Sequence, residues 1–81
     1  MRVLFSKRFS SSFQEAPDRV QREFGKQLGF LLCNLHHPSL HAKKYDETRG
    51  IWQARVDGGW RFYFTIEGDL YNLIDIIPHP K

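Results

Sequence analysis

With 81 residues the chain is long enough for one domain and too short for two, since even a domain of about 60 residues buries only roughly 60% of its unfolded surface. It is 41% hydrophobic and 26% charged, a composition that excludes a disordered chain. Its single cysteine excludes an internal disulfide, and the absence of an apolar run near the roughly 18 residues of a membrane span excludes a membrane protein. The net charge of +3 is uneven: residues 1–44 carry eight Lys and Arg against three acids, and residues 45–81 carry four against six, which favours a polyanionic partner. We therefore expect a single domain over residues 1–81, located in the reducing cytoplasm.

The N-terminal half predicts a strand followed by two helices. Arg2–Phe5 is a short β-prone run, and Ser6 then offers its side chain as the N-cap of a helix that carries Phe9 on its apolar face. Pro17 suits the first turn of a second helix, whose periodic pattern continues to about Leu35.

The second predicted helix has one apolar and one cationic side. At about 100° per residue, a narrow apolar stripe contains Val20, Phe24, Leu28, Leu31 and Leu35, and the opposite side contains Arg19, Arg22 and Lys26. Lysine and arginine contacts to phosphates position a nucleic acid without reading its sequence. These three residues are therefore candidate RNA contacts, with a merely solvated helix face as the alternative.

The C-terminal half predicts a loop and then a meander of three strands. Residues 36–50 show no sustained period, and the β-rich runs that follow are Ile51–Val56, Trp60–Ile66 and Leu70–Ile77. Short glycine-containing segments separate these runs and indicate two hairpins. The expected fold class is α+β, with two helices packed on one face of an antiparallel sheet.

The first hairpin can be registered from its side chains. A three-residue loop sets Val56 opposite Trp60, Arg55 opposite Arg61 and Ala54 opposite Phe62. The face toward the helices then holds Trp52, Ala54, Val56, Trp60, Phe62 and Phe64, and the open face holds Gln53, Arg55, Arg61, Tyr63 and Thr65. A three-residue loop in the second hairpin would place Asp75 opposite Arg61 but would turn Asn72 inward, so Asp75 either orients Arg61 or does not touch it. Tyr63 is placed to stack on an unpaired base or to serve only as a surface aromatic.

Three histidines in the loop, His36, His37 and His41, superficially resemble a metal cluster. No carboxylate or cysteine completes a zinc-binding spacing with them, since Cys33 lies back in the second helix. We therefore expect neither a metal nor another cofactor.

The order of these elements and several short segments resemble RelE/ParE-type toxins, and the RelE-like branch in particular. The segments that carry the likeness are His37–Lys44, Ile51–Val56, Arg61 and Ile77-Pro78-His79, and it covers nearly the whole chain. The resemblance implies the toxin of a type II toxin-antitoxin system, an endoribonuclease that cleaves messenger RNA on the ribosome without a metal. It also implies a cognate antitoxin that holds the toxin inactive in a hetero-oligomer able to bind operator DNA through the antitoxin.

The resemblance also assigns roles to individual residues. The family's sheet arginine matches Arg61, its basic loop matches Lys43 and Lys44, and the C-terminal histidine of several members matches His79. Cleavage without a metal requires a base for the ribose 2′-hydroxyl, cations for the charged transition state and an acid for the leaving 5′-oxygen. Arg61 suits the cationic role and His79 the acid. Lys43 and Lys44, also expected to be catalytic, could bind the phosphate or act as the base, with surface solubility as the alternative. Arg55 and His41 are expected to bind RNA beside them.

The identity of the general base stays open, because no acidic residue lies between His36 and Tyr45, where members with a glutamate base would supply one. Two other functions are compatible with the same fold. One is a ParE-like inhibitor of DNA gyrase, which needs no catalytic arginine and histidine. The other is an inactive binding module that keeps only its complex with an antitoxin.

Overall fold

A computed structural model describes residues 1–79 of the chain. Its elements are β1 (Arg2–Phe5), α1 (Lys7–Glu15), α2 (Asp18–Cys33), β2 (Lys43–Asp46), β3 (Ile51–Asp57), β4 (Trp60–Glu67) and β5 (Leu70–Pro78), with a short 3₁₀ helix over Pro38–Leu40. No helix in this part of the chain has the length and apolar character needed to cross a bilayer.

The five strands form one sheet in the order β1-β5-β4-β3-β2. The predicted α+β class, the helices on one sheet face and the three-stranded meander β3-β4-β5 are confirmed. The sheet is mixed rather than wholly antiparallel, because β1 pairs with β5 in parallel. A parallel neighbour needs a long connection, and the remainder of the chain supplies it here.

The first helix begins where its sequence predicts. The Ser6 hydroxyl accepts a hydrogen bond from the Phe9 amide at 3.0 Å, and the Ser6 amide donates to the Leu73 carbonyl at 3.0 Å. The cap therefore both starts α1 and fixes it against β5. The second helix ends at Cys33, two residues before the predicted end, and Pro17 is its N-cap rather than part of its first turn.

The prediction of a loop over residues 36–50 is wrong in part, because this segment contains the 3₁₀ helix and strand β2. Lys43 and Lys44 pair with Gln53 and Trp52 of β3, and Tyr45 is the extra residue of a bulge. Charged side chains are typical of exposed edge strands, but they remove the alternation that reveals a strand in sequence.

The core lies between the helices and the sheet. Among residues 1–79, thirteen hydrophobic residues are buried: Phe9, Ala16, Val20, Phe24, Leu31, Leu40, Ala54, Val56, Phe62, Phe64, Tyr71, Leu73 and Ile76. Phe62 is fully buried, and its ring meets that of Phe24 edge to face at 5.2 Å, which joins β4 to α2.

One buried polar residue, Gln27, lies among these apolar side chains. Its amide nitrogen donates to the carbonyls of Ser39 and Arg55 at 2.9 and 2.8 Å. Because a buried amide must be hydrogen-bonded, these contacts hold the 3₁₀ segment and β3 in fixed positions relative to α2.

The predicted register is confirmed in the centre of the first hairpin and wrong at its end. Arg55 lies opposite Arg61 and Ala54 opposite Phe62, but Trp60 lies opposite Asp57, because Val56 occupies a bulge. A bulge inserts one unpaired residue and shifts every pair beyond it.

The predicted pair of Asp75 with Arg61 is wrong. The second hairpin has a two-residue turn, Gly68-Asp69, and a bulge lies farther along, so Asp75 is opposite Tyr63. Gly68 has φ +59°, a conformation that this tight turn requires and glycine adopts without strain. Asp75 instead accepts a hydrogen bond from the Ser12 hydroxyl at 2.7 Å and forms an ion pair with Arg8 at 3.2 Å.

Candidate functional site

A cleft of about 360 Å³ lies on the sheet face opposite the helices. Its lining residues are His41, Ala42, Lys43, Gln53, Arg55, Arg61 and His79, so it brings together five of the predicted site residues. Three of the lining side chains are permanent cations and two are imidazoles, while no Asp or Glu among residues 1–79 lines it. The cleft is therefore suited to an anion.

The turn between β3 and β4 orients two of these residues. The Arg61 Nη1 donates to the carbonyls of Asp57 and Trp60 at 2.7 and 3.0 Å. The His79 amide donates to the Gly59 carbonyl at 2.8 Å, so the end of the chain's last strand is held against the same turn. These hydrogen bonds hold the Arg61 side chain and the His79 backbone at one end of the cleft.

Arg55 lies directly across from Arg61 in the sheet. Like charges at such a cross-strand position repel each other, and a carboxylate normally offsets the repulsion. Within residues 1–79, neither arginine forms an ion pair, and the Arg55 Nε is buried without a hydrogen-bond partner. Two adjacent guanidinium groups without a counterion form a ready site for two anionic oxygens.

The 3₁₀ helix delivers His41 to the cleft in an unusual backbone conformation. His41 has φ 47° and ψ 42°, which is the left-handed region, and it is the only residue other than glycine within residues 1–79 with a positive φ. This conformation costs an L residue roughly 1–2 kcal/mol. Such outliers cluster at functional sites, where the surrounding structure holds them in place.

The two lysines of the basic loop separate in the structure. Lys43 lines the cleft, whereas Lys44 points to the other side of the sheet, with its Nζ 5.3 Å from the centre of the Trp52 ring and 4.0 Å from Glu47. The alternation of side chains along β2 explains the separation. The structure therefore does not bring Lys44 to the cleft as its predicted catalytic role would require.

Tyr63 lies beside the cleft rather than in it. Its hydroxyl donates to the Gln53 Oε1 at 3.1 Å, and Gln53 lines the cleft. Partial burial, with a smaller contribution from Tyr45, raises the pKa of the Tyr63 hydroxyl above its ordinary value. The hydroxyl therefore remains a hydrogen-bond donor at neutral pH.

The three predicted cations of α2 lie apart from the cleft. Arg19 forms an ion pair with Asp57, Lys26 lies 4.0 Å from Glu23, and Arg22 is exposed. Two of the three thus have an acidic neighbour within ion-pair distance, and none of them lines the cleft.

The loop histidines do not converge on one point. The His37 ring stacks on Phe30 at 3.9 Å and its Nδ1 accepts from the Ser39 amide at 3.2 Å, while His41 faces the cleft. Among the described residues, no three His, Cys, Asp or Glu side chains are close enough to hold a metal ion.

Gln53 was predicted on the open face but was not among the predicted site residues. Gln53 is only 8% exposed, and it lies between Lys43 and Tyr63 in the sheet. The signal was its alternation with Arg55 along β3, which puts both side chains on the same face.

No protein-family model matches the sequence, and no match is found among curated protein sequences. Solved structures do match. A YoeB/ParE toxin from Agrobacterium tumefaciens aligns over 99% of this chain and 100% of its own, with a TM-score of 0.82 and 13% identity. RelE in the RelB-RelE antitoxin-toxin complex from Methanococcus jannaschii aligns over 93% and 88%, with a TM-score of 0.74 and 17% identity. YafQ from E. coli aligns over 98% and 94%, with a TM-score of 0.72 and 20% identity. These likenesses cover between 93% and 99% of the chain, and the chain therefore has the fold seen in these toxin structures.

Proposed function

We propose that this chain is the toxin of a type II toxin-antitoxin system and cleaves messenger RNA on the ribosome. The observation that carries the proposal is the opposed pair Arg55 and Arg61 in a cleft that also contains Lys43 and two histidines, and that no Asp or Glu of residues 1–79 lines. Cations arranged before substrate arrives stabilise the charge that develops on a phosphate during cleavage. The fold shared with RelE supports the same conclusion.

The cleft residues provide a complete set of groups for cleavage by the ribose 2′-oxygen. That oxygen attacks the adjacent phosphorus as a base takes its proton, and the bond to the 5′-oxygen breaks as an acid protonates the leaving group. The products are a 2′,3′-cyclic phosphate and a 5′-hydroxyl. We assign the anionic phosphate oxygens to Arg55 and Arg61, and the acid to His79.

We assign the base in this scheme to His41. No carboxylate lines the cleft among residues 1–79, and His41 is the second imidazole there. Imidazole exchanges protons near neutral pH and can serve as either acid or base. The scheme relies on the cations of the cleft to stabilise the charge that develops on the phosphate.

The proposal includes the partners that the fold suggests. RelE from Methanococcus jannaschii was solved in a complex with its antitoxin RelB, and we infer a cognate antitoxin for this chain. The complex would bind operator DNA through the antitoxin, and the free toxin would act on the ribosome and its messenger RNA in the cytoplasm.

Primer extension on messenger RNA from cells that briefly express the chain tests this function. We expect cuts at positions related to codon boundaries, lost when translation is blocked before induction. A parallel assay of plasmid supercoiling tests the gyrase alternative. Intact messages with altered supercoiling would favour gyrase inhibition, and an effect on neither would leave a module that only binds an antitoxin.

The two neighbouring lysines provide a matched test of the cleft. Lys43→Ala removes a cation from the cleft, whereas Lys44→Ala removes one from the opposite side of the same strand. We expect Lys43→Ala to lower the cleavage rate by roughly 10-fold or more and Lys44→Ala to change it less than about 2-fold, because only the first contacts the phosphate. Equal losses in both variants, measured by primer extension at matched expression, would contradict the assignment.

His41 allows stability and activity to be separated. His41→Gly and His41→Asn both accept the left-handed backbone but cannot exchange a proton at neutral pH. We expect cleavage to fall by about 10²- to 10⁴-fold, as for loss of a general base, with stability unchanged or higher by up to about 1 kcal/mol for glycine. Urea unfolding and primer extension measure the two effects, and a stable variant with full cleavage would exclude His41 as the base.

A further inference from the structure

A second concavity of about 230 Å³ lies on the same open face as the cleft. Its lining residues are Arg8, Tyr45, Ile51, Tyr63, Ile74, Asp75 and Ile77. Its walls are mainly two aromatic rings and three isoleucines, in contrast to the cations of the cleft. We call it the aromatic subsite.

The aromatic subsite and the cleft are continuous across the sheet. Lys43, Gln53, Tyr63 and Asp75 form one cross-strand row, and Arg55, Arg61 and Ile77 form the next row on the same face. Equivalent positions in successive rows are two residues apart along a strand, or roughly 7 Å. The bond from the Tyr63 hydroxyl to Gln53 lies at the boundary between the two sites.

Tyr45 is the most accessible aromatic surface of this subsite. It is 61% exposed, it occupies the bulge of β2, and its ring meets Tyr63 at 5.0 Å and 69°. Two rings set edge to face form a corner. A planar ligand in this corner can stack on the face of one ring and contact the edge of the other. Tyr45 is two residues after Lys43, so the alternation of side chains along β2 puts both on the open face.

The charges of the aromatic subsite are already paired within the protein. Asp75 Oδ1 accepts from the Ser12 hydroxyl and the Ile76 amide at 2.7 and 2.9 Å, and its other oxygen lies 3.2 Å from Arg8. The subsite therefore suits an uncharged planar group, whereas the adjoining cleft suits an anion. A nucleotide combines these two properties in one molecule.

We propose that the aromatic subsite holds one unstacked base of the RNA strand whose phosphate lies between Arg55 and Arg61, with Tyr45 as the ring on which it stacks. The inference deepens the proposed function and rests on it. Stacking of a base on an aromatic side chain changes affinity by roughly 5- to 100-fold and tolerates any base. Tyr45 thus adds affinity to the phosphate contacts without dictating the sequence that is bound.

A binding cycle with an abasic probe tests this inference. The probe is a fluorescent single-stranded RNA of about eight nucleotides whose 2′-hydroxyls are methylated, so that it cannot be cleaved. Its binding is compared with that of a set of probes, each of which lacks the base at one position. For the native chain at low salt, we expect loss of one particular base to weaken binding by about 5- to 100-fold in fluorescence anisotropy. For Tyr45→Ala, the intact probe should bind weakly and removal of that base should have no further effect.

Two variants control for the side chain and the fold. Tyr45→Phe keeps the ring and should bind like the native chain, whereas Tyr45→Leu keeps apolar bulk without a ring and should behave like Tyr45→Ala. The inference would be overturned if removal of the base weakened binding by the same factor in Tyr45→Ala as in the native chain. It would also be overturned if the native chain did not bind the intact probe.

The outcome for the proposed function is read separately. Primer extension in cells detects cleavage whether or not the chain binds free RNA. If the chain cleaves messages in cells but Tyr45→Ala does not change the effect of removing a base from the probe, only the aromatic subsite is refuted. Lys43→Ala should weaken the intact and abasic probes by the same factor, because it contacts phosphate rather than base. Binding that is insensitive to Lys43 and absence of cleavage would instead refute the proposed function.

Discussion

Replacing Arg61 with alanine is expected to lower messenger RNA cleavage by about 100- to 1,000-fold, the usual effect of removing one preorganised donor from a developing anion. The Arg61 guanidinium is oriented by the carbonyls of Asp57 and Trp60 before substrate binds, so its stabilising charge requires no rearrangement during the reaction. Its removal also leaves Arg55 as the sole guanidinium of the cross-strand pair. Quantitative primer extension from cells with matched toxin levels measures the effect.

Two variants separate loss of charge from loss of geometry. Arg61→Lys keeps the cation but not the planar fork, and we expect it to recover only part of the activity. Arg49→Ala removes an exposed arginine that pairs with Asp46, outside the cleft, and should leave cleavage within about 2-fold. An Arg61→Ala protein that melts at the native temperature and cleaves at the native rate would remove the main support for the proposed function.

Truncation of Phe62 is expected to have the largest effect on stability, a loss of about 3–5 kcal/mol in the free energy of unfolding for Phe62→Ala. The ring is completely buried and packs against those of Phe24 and Phe64, at centroid distances of 5.2 and 5.8 Å. Its removal leaves a cavity between α2 and β4 that rigid neighbours cannot fill. Because a domain of this size has only a few kcal/mol of net stability, we expect much of the variant to be unfolded.

The corresponding measurement is urea unfolding followed by circular dichroism. Phe62→Leu leaves a smaller cavity and should lose roughly 1–2 kcal/mol, which remains measurable if the alanine variant does not fold. Phe5→Ala provides the same change at a ring that is 46% exposed, and should cost roughly 1–2 kcal/mol. Similar losses at Phe5 and Phe62 would show that the core is not centred where the structure places it.

Local chemistry was sufficient to predict several elements of the fold. Ser6 can cap α1 because its hydroxyl reaches an amide three residues ahead, and this contact depends on neighbouring residues alone. The alternation that buries Phe62 and Phe64 while exposing Arg61 and Tyr63 is likewise a property of one strand. For this reason the two helices, the three-stranded meander and the cationic open face could be predicted from the sequence.

The remaining features depend on contacts between residues distant in sequence. Strand β2 is charged and gains its hydrogen bonds only from β3. The two-residue turn Gly68-Asp69 and the bulge at Ile74 place Asp75 opposite Tyr63 rather than Arg61. The same long-range contacts separate Lys43 from Lys44 and place His41 beside His79 in one cleft. Sequence periodicity therefore predicted which side chains share a face, whereas packing and strand pairing determine which of them meet, because register and bulges are settled by the whole sheet.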